Sequence, residues 1–230
     1  VHPHRGFETV TIAYKGKVAH HDSFGNNGVI EEGDVQWMTA ASGILHKEYH
    51  EKEFSRSGGD FQMVQLWVNL PAKDKMSLPK YQAISNDMIK RYMSEDKLTE
   101  IEVIAGHFKG VDGAAETFSP VHLFNAKMKS GATEVFTFPK LFNTALIVIE
   151  GDIVVNTKTP VTEDHFVLFE NDGDTFEIKA VKPSIVLILS GAPIQEPIVA
   201  HGPFVMNTRE EILQAFDDYH AGKFGTLYLK

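Results

Sequence analysis

Two stretches of this chain share one layout, and that layout leaves few folds open. FETVTIAYKGKVAH (residues 7–20) and FNTALIVIEGDIVVN (residues 142–156) each read as a β-branched and aromatic strand, a turn glycine (Gly16, Gly151) and a second strand. In the first block the pattern predicts a hairpin, Phe7 to Tyr14 and Lys17 to His21 around Lys15-Gly16. Further on, EEGDVQWM (31–38) is answered by ENDGDTFEI (170–178), with Gly173-Asp174 in the place of Gly33-Asp34. The paired glycines stand 17 residues apart in the first block (16 to 33) and 22 in the second (151 to 173), so the repeat is approximate. It predicts a strand-rich chain made by duplicating one β-unit.

Other segments fit this reading. Phe61 to Leu70 alternates, with Gln65, Trp67 and Asn69 on one face and Val64, Leu66 and Val68 on the other, and stops at Pro71. Thr208 followed by Glu211 is a capping box. Ile212, Leu213, Ala215, Phe216 and Tyr219 then recur at helical spacing up to Gly222, which predicts one helix over about 209–221. DMIKRYMSEDKLTE (87–100) fits helix and loop equally.

With 31 acidic and 22 basic residues the net charge is -9, which argues against direct binding of nucleic acid through phosphates. The most apolar runs, Ala145 to Ile149 and Ile185 to Leu189, are strand-sized, far from the roughly 20 residues of a membrane helix. No membrane contact is expected. The absence of cysteine rules out disulfides, thiolate metal sites and cysteine nucleophiles together.

Among 11 histidines, His2 and His4 form a His-x-His pair, a spacing expected by chance about half the time. On a strand, residues i and i+2 share a side, so two imidazoles about 6 to 7 Å apart would face one spot, as two cis metal ligands do. His46 and Glu48 repeat the arrangement. Three imidazoles and a carboxylate suit iron(II), and also Mn, Ni, Cu, Co or Zn, while the missing thiolate speaks against a structural zinc. Spacing alone leaves the alternative of solvated residues at two strand ends standing. His20 and His21 are adjacent, so only one of them could face such a site. His50, His107, His122, His165, His201 and His220 have no paired spacing and are expected at the surface or satisfied in a core. Phe7, Trp37, Met38 and Trp67 are expected in core or pocket wall.

HPHRGFETVT, followed by HHDSFGNNGVIEEGDVQWMTAASGILHKE, resembles the metal-binding half of the pirin family, a branch of the cupin superfamily. The likeness continues through QLWVNLP, PKYQ, VIAG and GPFVMNTREEI. It implies an all-β bicupin: two tandem cupin (jelly-roll) barrels packed face to face, with a C-terminal helix. The implied layout is a metal-binding barrel over 1–105, a linker over 106–119, a second barrel over 120–195, and a tail over 196–230. Carried over, the pirin ligands fall on His2, His4, His46 and Glu48, usually around iron. Glu8 takes the place of a glutamate ligand of the wider cupin pattern and is read as non-ligating. In the second block Phe136 to Pro139 (FTFP) stands where His2 and His4 stand in the first, so that barrel is expected to be metal-free. A ligand pair this near residue 1 also leads us to expect further barrel strands upstream.

The resemblance implies an oxidoreductase, a quercetin 2,3-dioxygenase that opens the heterocyclic ring of a flavonol with O2. Glu48 would then serve as a base, and Phe7, Met38 and Trp67 would line the pocket. Two alternatives follow from the same likeness. One is a non-enzymatic regulator, a transcription cofactor or modulator of a metabolic enzyme, that binds a protein partner according to its metal state. The other is a storage or stress-induced bicupin with an incidental metal. A monomer is expected, in the cytoplasm or, in a eukaryote, the nucleus.

Overall fold

The strand signals of the first block become β1 (His2–His4), β2 (Phe7–Lys15), β3 (Val18–Asp22), β4 (Asn27–Ile30), β5 (Val35–Thr39) and β6 (Ile44–His50). A short helix α1 (Lys52–Ser57), β7 (Gln62–Asn69) and β8 (Lys80–Ile84) follow. In this computed structural model, which describes residues 1–227, they form two antiparallel sheets, β1-β6-β3-β4 and β7-β2-β5-β8. Ala13, Val18, Ile30 and Met63 come from both sheets and pack together, which joins the two layers of this unit.

The second block supplies β9 (Lys90–Met93), β10 (Thr99–Ala105), β11 (His107–Phe108), β12 (Val111–Asp112), β13 (Val121–Met128) and β14 (Thr133–Thr137). It continues with β15 (Asn143–Glu150), β16 (Asp152–Val155), β17 (Thr159–Thr162), β18 (Phe166–Leu168), β19 (Thr175–Ala180) and β20 (Ser184–Gly191). Its sheets are β18-β15-β20-β13-β10-β9 and β14-β19-β16-β17. Buried Phe124, Phe136, Leu146, Ile178 and Ile188 fill the space between them. The tail adds β21 (Val199–His201), β22 (Phe204–Met206) and α2 (Arg209–His220). No helix among the described residues is long and apolar enough to cross a membrane.

The predicted hairpin does not form. β2 pairs with β5 and β7, whereas β3 pairs with β4 and β6, so Gly16 carries the chain from one sheet to the other. Gly151 does the same between β15 and β16. Both glycines have left-handed φ, +83° and +90°, and each follows a register shift, between Ala13 and Lys15 and between Val148 and Glu150. A bulge bends a strand and glycine then permits the corner, which is how strands change sheets in a sandwich.

The second pair of turns is also matched differently from the sequence reading. Gly33 N–H donates to the Ala13 carbonyl at 2.9 Å, and Asp164 N–H donates to the Val148 carbonyl at 2.9 Å. Asp164 (φ +63°), not Gly173, is therefore the counterpart of Gly33 (φ +86°). Aspartate is among the few residues that tolerate this backbone, so no glycine marked the place.

The unit boundaries move as well. The chain divides into Val1–Asn86 with everything from Ile194 onward, and Asp87–Pro193. Residues 87–105 leave the expected first barrel because β9 pairs with β10, and β10 pairs with β13. The undecided stretch 87–100 thus forms no α-helix but holds β9 and the first residues of β10 on either side of a turn, and the expected linker 106–119 contains the β11-β12 hairpin. The expected tail folds onto the first unit; its residues 228–230 lie outside the described residues. Thr208 caps α2 with the anticipated reciprocal bonds to Glu211, and Gly222 (φ +76°) follows the helix end.

The tail is fastened by charge. Arg5 Nη1 donates to Asp218 Oδ2 at 2.9 Å, Arg5 Nε to the Ser42 carbonyl at 2.7 Å, and the guanidinium lies 4.7 Å from the Phe224 ring centre. The Lys75 ammonium is buried, donating to the carbonyls of Gly6 (2.6 Å) and Val205 (2.9 Å) and to Asn69 Oδ1 (2.6 Å). Gly6 is obligatory here, since a Cβ would meet the Val205 carbonyl oxygen at 2.0 Å. Hydrogen bonds from Lys223, and then from Arg5 and Gln214, hold the Asp218 carboxyl at about 2, below its usual 3.8.

Replacing Asp218 by Asn leaves the buried Arg5 charge uncompensated, and thermal or urea unfolding should show a loss of about 3 kcal/mol. Glu53→Gln, which breaks the exposed Arg56 pair, should change stability by less than about 0.5 kcal/mol. Because the folded value of Asp218 is depressed, its contribution is complete above about pH 4 and fades as pH falls towards 2.

Candidate metal centre

β1 pairs with β6 so that His2 lies directly opposite His46, and His4 follows two residues on along the same face. Pro3 opposes Leu45 on an edge strand, where its missing N–H breaks little of the ladder. The three imidazoles offer nitrogens that all lie within 4.8 Å of one another. His46 Nε2 and His2 Nε2 are 2.7 Å apart, near the roughly 3 Å that separates cis nitrogens bonded at about 2.1 Å to one ion.

The surroundings keep these rings neutral. Burial, reinforced by the neighbouring imidazoles, pushes His46 down to about 2, and burial with help from His2 pushes His4 down to about 4. His4 Nδ1 faces the Pro203 carbonyl at 3.4 Å and can only donate to it, which leaves the Nε2 lone pair free. That Nε2 is buried and has no hydrogen-bond partner, as is His46 Nδ1. A buried nitrogen lone pair turned towards two others is what a borderline divalent metal requires, and the residues present fit such an ion.

Glu48 stands outside the three-histidine group. Its carboxylate accepts from Gln65 Nε2 at 2.8 and 3.1 Å and from the Thr11 hydroxyl at 3.2 Å, while its charge acts favourably on protonated His2. Glu8 is buried on the opposite face of β2, where Thr39 donates to it at 2.7 Å, and burial raises its carboxyl. Of the adjacent pair, His20 is the buried one, and its Nε2 receives the Tyr81 hydroxyl at 2.6 Å. Burial lowers His20 to about 4 and raises the Tyr81 phenol to about 12.

Phe7 and Trp67 stand beside the histidines, with ring centres 5.0 and 5.5 Å from His4 and 4.3 Å from each other. Phe7 is fully buried and Trp67 half exposed, so the tryptophan forms the outer wall. Met38 packs instead with Ala40, Ile44 and Tyr81. Sequence reasoning missed Thr11, Tyr81 and the Pro203 carbonyl. Period-2 alternation from Phe7 marks Thr11, whereas nothing local marks the other two.

The same positions in the second unit have lost every ligand. Counting from the corner glycines, His20 corresponds to Val155, and their cross-strand partners are Glu48 and Ile178. Two residues earlier His46 corresponds to Phe176, which pairs with Phe136 as His46 pairs with His2. His2, His4, His46 and Glu48 are thus replaced by Phe136, Phe138, Phe176 and Ile178, all buried.

In metal-free protein the imidazole NMR signals of His4, His20 and His46 should hold constant from pH 8 down to about pH 5. A midpoint near 6.5 for any of them would mean an exposed ring. Since each must become neutral on folding, stability should fall as pH drops below about 6.5 towards 4.

Known proteins resemble this chain in sequence and fold. Residues 1–68 match the family model described as Pirin, and residues 123–225 match the Pirin C-terminal cupin domain. A Pseudomonas aeruginosa protein provisionally named quercetin 2,3-dioxygenase is 47% identical over 97% of this chain and 78% of its own length. Pirin-1 of Arabidopsis thaliana is 38% identical over 97% of this chain and 77% of its own. A crystal structure of quercetin 2,3-dioxygenase from Acinetobacter baumannii superposes with a TM-score of 0.94 at 45% identity, covering 99% of this chain and 79% of that one. Matched in both halves and in the same order, the chain belongs to the pirin family and carries its tandem cupin domains.

Proposed function

We propose that the protein is an iron-dependent dioxygenase of flavonols, of the quercetin 2,3-dioxygenase type. The observation that carries this reading is the convergence of His2, His4 and His46, two of them buried, beneath an aromatic wall of Phe7 and Trp67. A relative at 47% identity and a solved structure at 45% bear that activity in their names, which supports it. His2, His4 and His46 would hold the iron, with Glu48 completing the set. When bound, iron(II) supplies Lewis acidity towards a neighbouring hydroxyl and carbonyl, and redox chemistry towards O2.

The chain's own residues do the rest. Gln65 and Thr11 orient the Glu48 carboxylate through both oxygens, and a remaining lone pair on it would take the proton of the flavonol 3-hydroxyl. Trp67 and Phe7 offer flat apolar surface to the substrate rings. His4 and His46 are themselves closed off from water, which keeps their imidazoles neutral and available as ligands.

Iron-loaded protein should hold about one equivalent of metal by elemental analysis, and should consume O2 and release carbon monoxide with quercetin. His46→Ala should lose the metal and the activity together, and Glu48→Gln should lower turnover by about a hundredfold or more. Metal-replete protein that takes up no O2 with quercetin would overturn the enzymatic reading and favour a metal-dependent protein contact instead.

A further inference from the structure

We propose that the second unit binds a small quaternary ammonium ion in an aromatic cage. This inference stands apart from the dioxygenase reading and survives its failure. The register that places three histidines in the first unit places Phe136, Phe138 and Phe176 in the second. Next to them is a cavity of about 90 Å³ walled by Phe138, Phe142, Phe169 and Phe176. Phe169 and Phe176 stack at 4.3 Å, and Phe138 lies 6.2 Å from Phe176. Sites for drug-sized ligands run from about 300 Å³ upwards, so this one takes a single compact group.

The sign of the ligand's charge follows from the rim. Glu170, Asp172 and Asp174 line the opening, and no lysine, arginine or histidine does. The Glu170 and Asp172 side chains are exposed and make no hydrogen bond or ion pair among the described residues, while the Asp174 carboxylate accepts only the Thr175 hydroxyl, at 2.8 Å. Aromatic walls and rim carboxylates without a cationic partner among the described residues favour a cation.

Depth separates a methylated ammonium from a primary amine. A primary amine would stay at the rim carboxylates, because below them the phenylalanine walls accept no hydrogen bond and the Thr144 hydroxyl is shared with Ser190 at 2.9 Å. A methylated ammonium needs no acceptor. It presents apolar methyl groups to the rings and its charge to the rim.

The test titrates the full chain with choline and with 3,3-dimethylbutan-1-ol, its uncharged isostere, and follows the amide signals of Gly173 and Thr175 by NMR. Choline should bind in the millimolar range, at least about fivefold tighter than the alcohol. The double variant Glu170→Gln, Asp172→Asn should abolish that preference, and Phe142→Ala should weaken both ligands. Equal affinity for the two, or no shift with choline at 100-fold excess over the alcohol's effective range, would overturn the proposal. So would an undiminished choline preference in the Glu170→Gln, Asp172→Asn variant.

Discussion

The corner at a bulge followed by a left-handed glycine is the constraint on which both units rest. It takes a strand out of one sheet and delivers it to the facing one, so the two sheets of each unit are joined by covalent chain at Gly16 and Gly151. The backbone bonds that brace it recur, Gly33 to Ala13 in one unit and Asp164 to Val148 in the other. With that corner fixed, register decides which side chains face inward, and a one-residue slip would turn every one of them outward. His20, His46 and Glu48 share a face because of that register.

The two units show what one scaffold does with four inward positions. Filled by His2, His4, His46 and Glu48, they gather nitrogen and oxygen donors; filled by Phe136, Phe138, Phe176 and Ile178, they extend the core. Each choice is consistent within itself. An imidazole with a buried free lone pair is tolerable only near a partner for it, whereas a phenylalanine at the same place brings dispersion contacts and no polar demand.

Much of this was legible in the sequence, for reasons that can be named. The i, i+2 spacing of His2 and His4, the repeated strand-glycine-strand layout and the Thr208 capping box depend on residues near one another in the chain, and each appears in the structure. The hairpin around Gly16 was misread because a tight glycine turn looks the same whether its strands pair or part. Asp164 was missed because its role lies in a backbone angle rather than in its side-chain type. Residues 87–105 were assigned to the wrong unit because strand pairing with β13 is a long-range choice. Glu48 presented an expected donor, but its neighbours Gln65 and Thr11 take up its oxygens in this structure, a competition that spacing does not reveal.

The bond from His4 to the Pro203 carbonyl spans 199 positions in the chain. During synthesis the imidazoles of β1 and β6 leave the ribosome long before the tail that orients one of them. The side chains of the centre therefore take their final pose only after the segment from Pro203 to Phe224 docks, through Arg5, Lys75 and Asp218. Maturation of the centre is thereby tied to synthesis of that segment, so that a product cut short before it would carry the three histidines without the clamp that aims them.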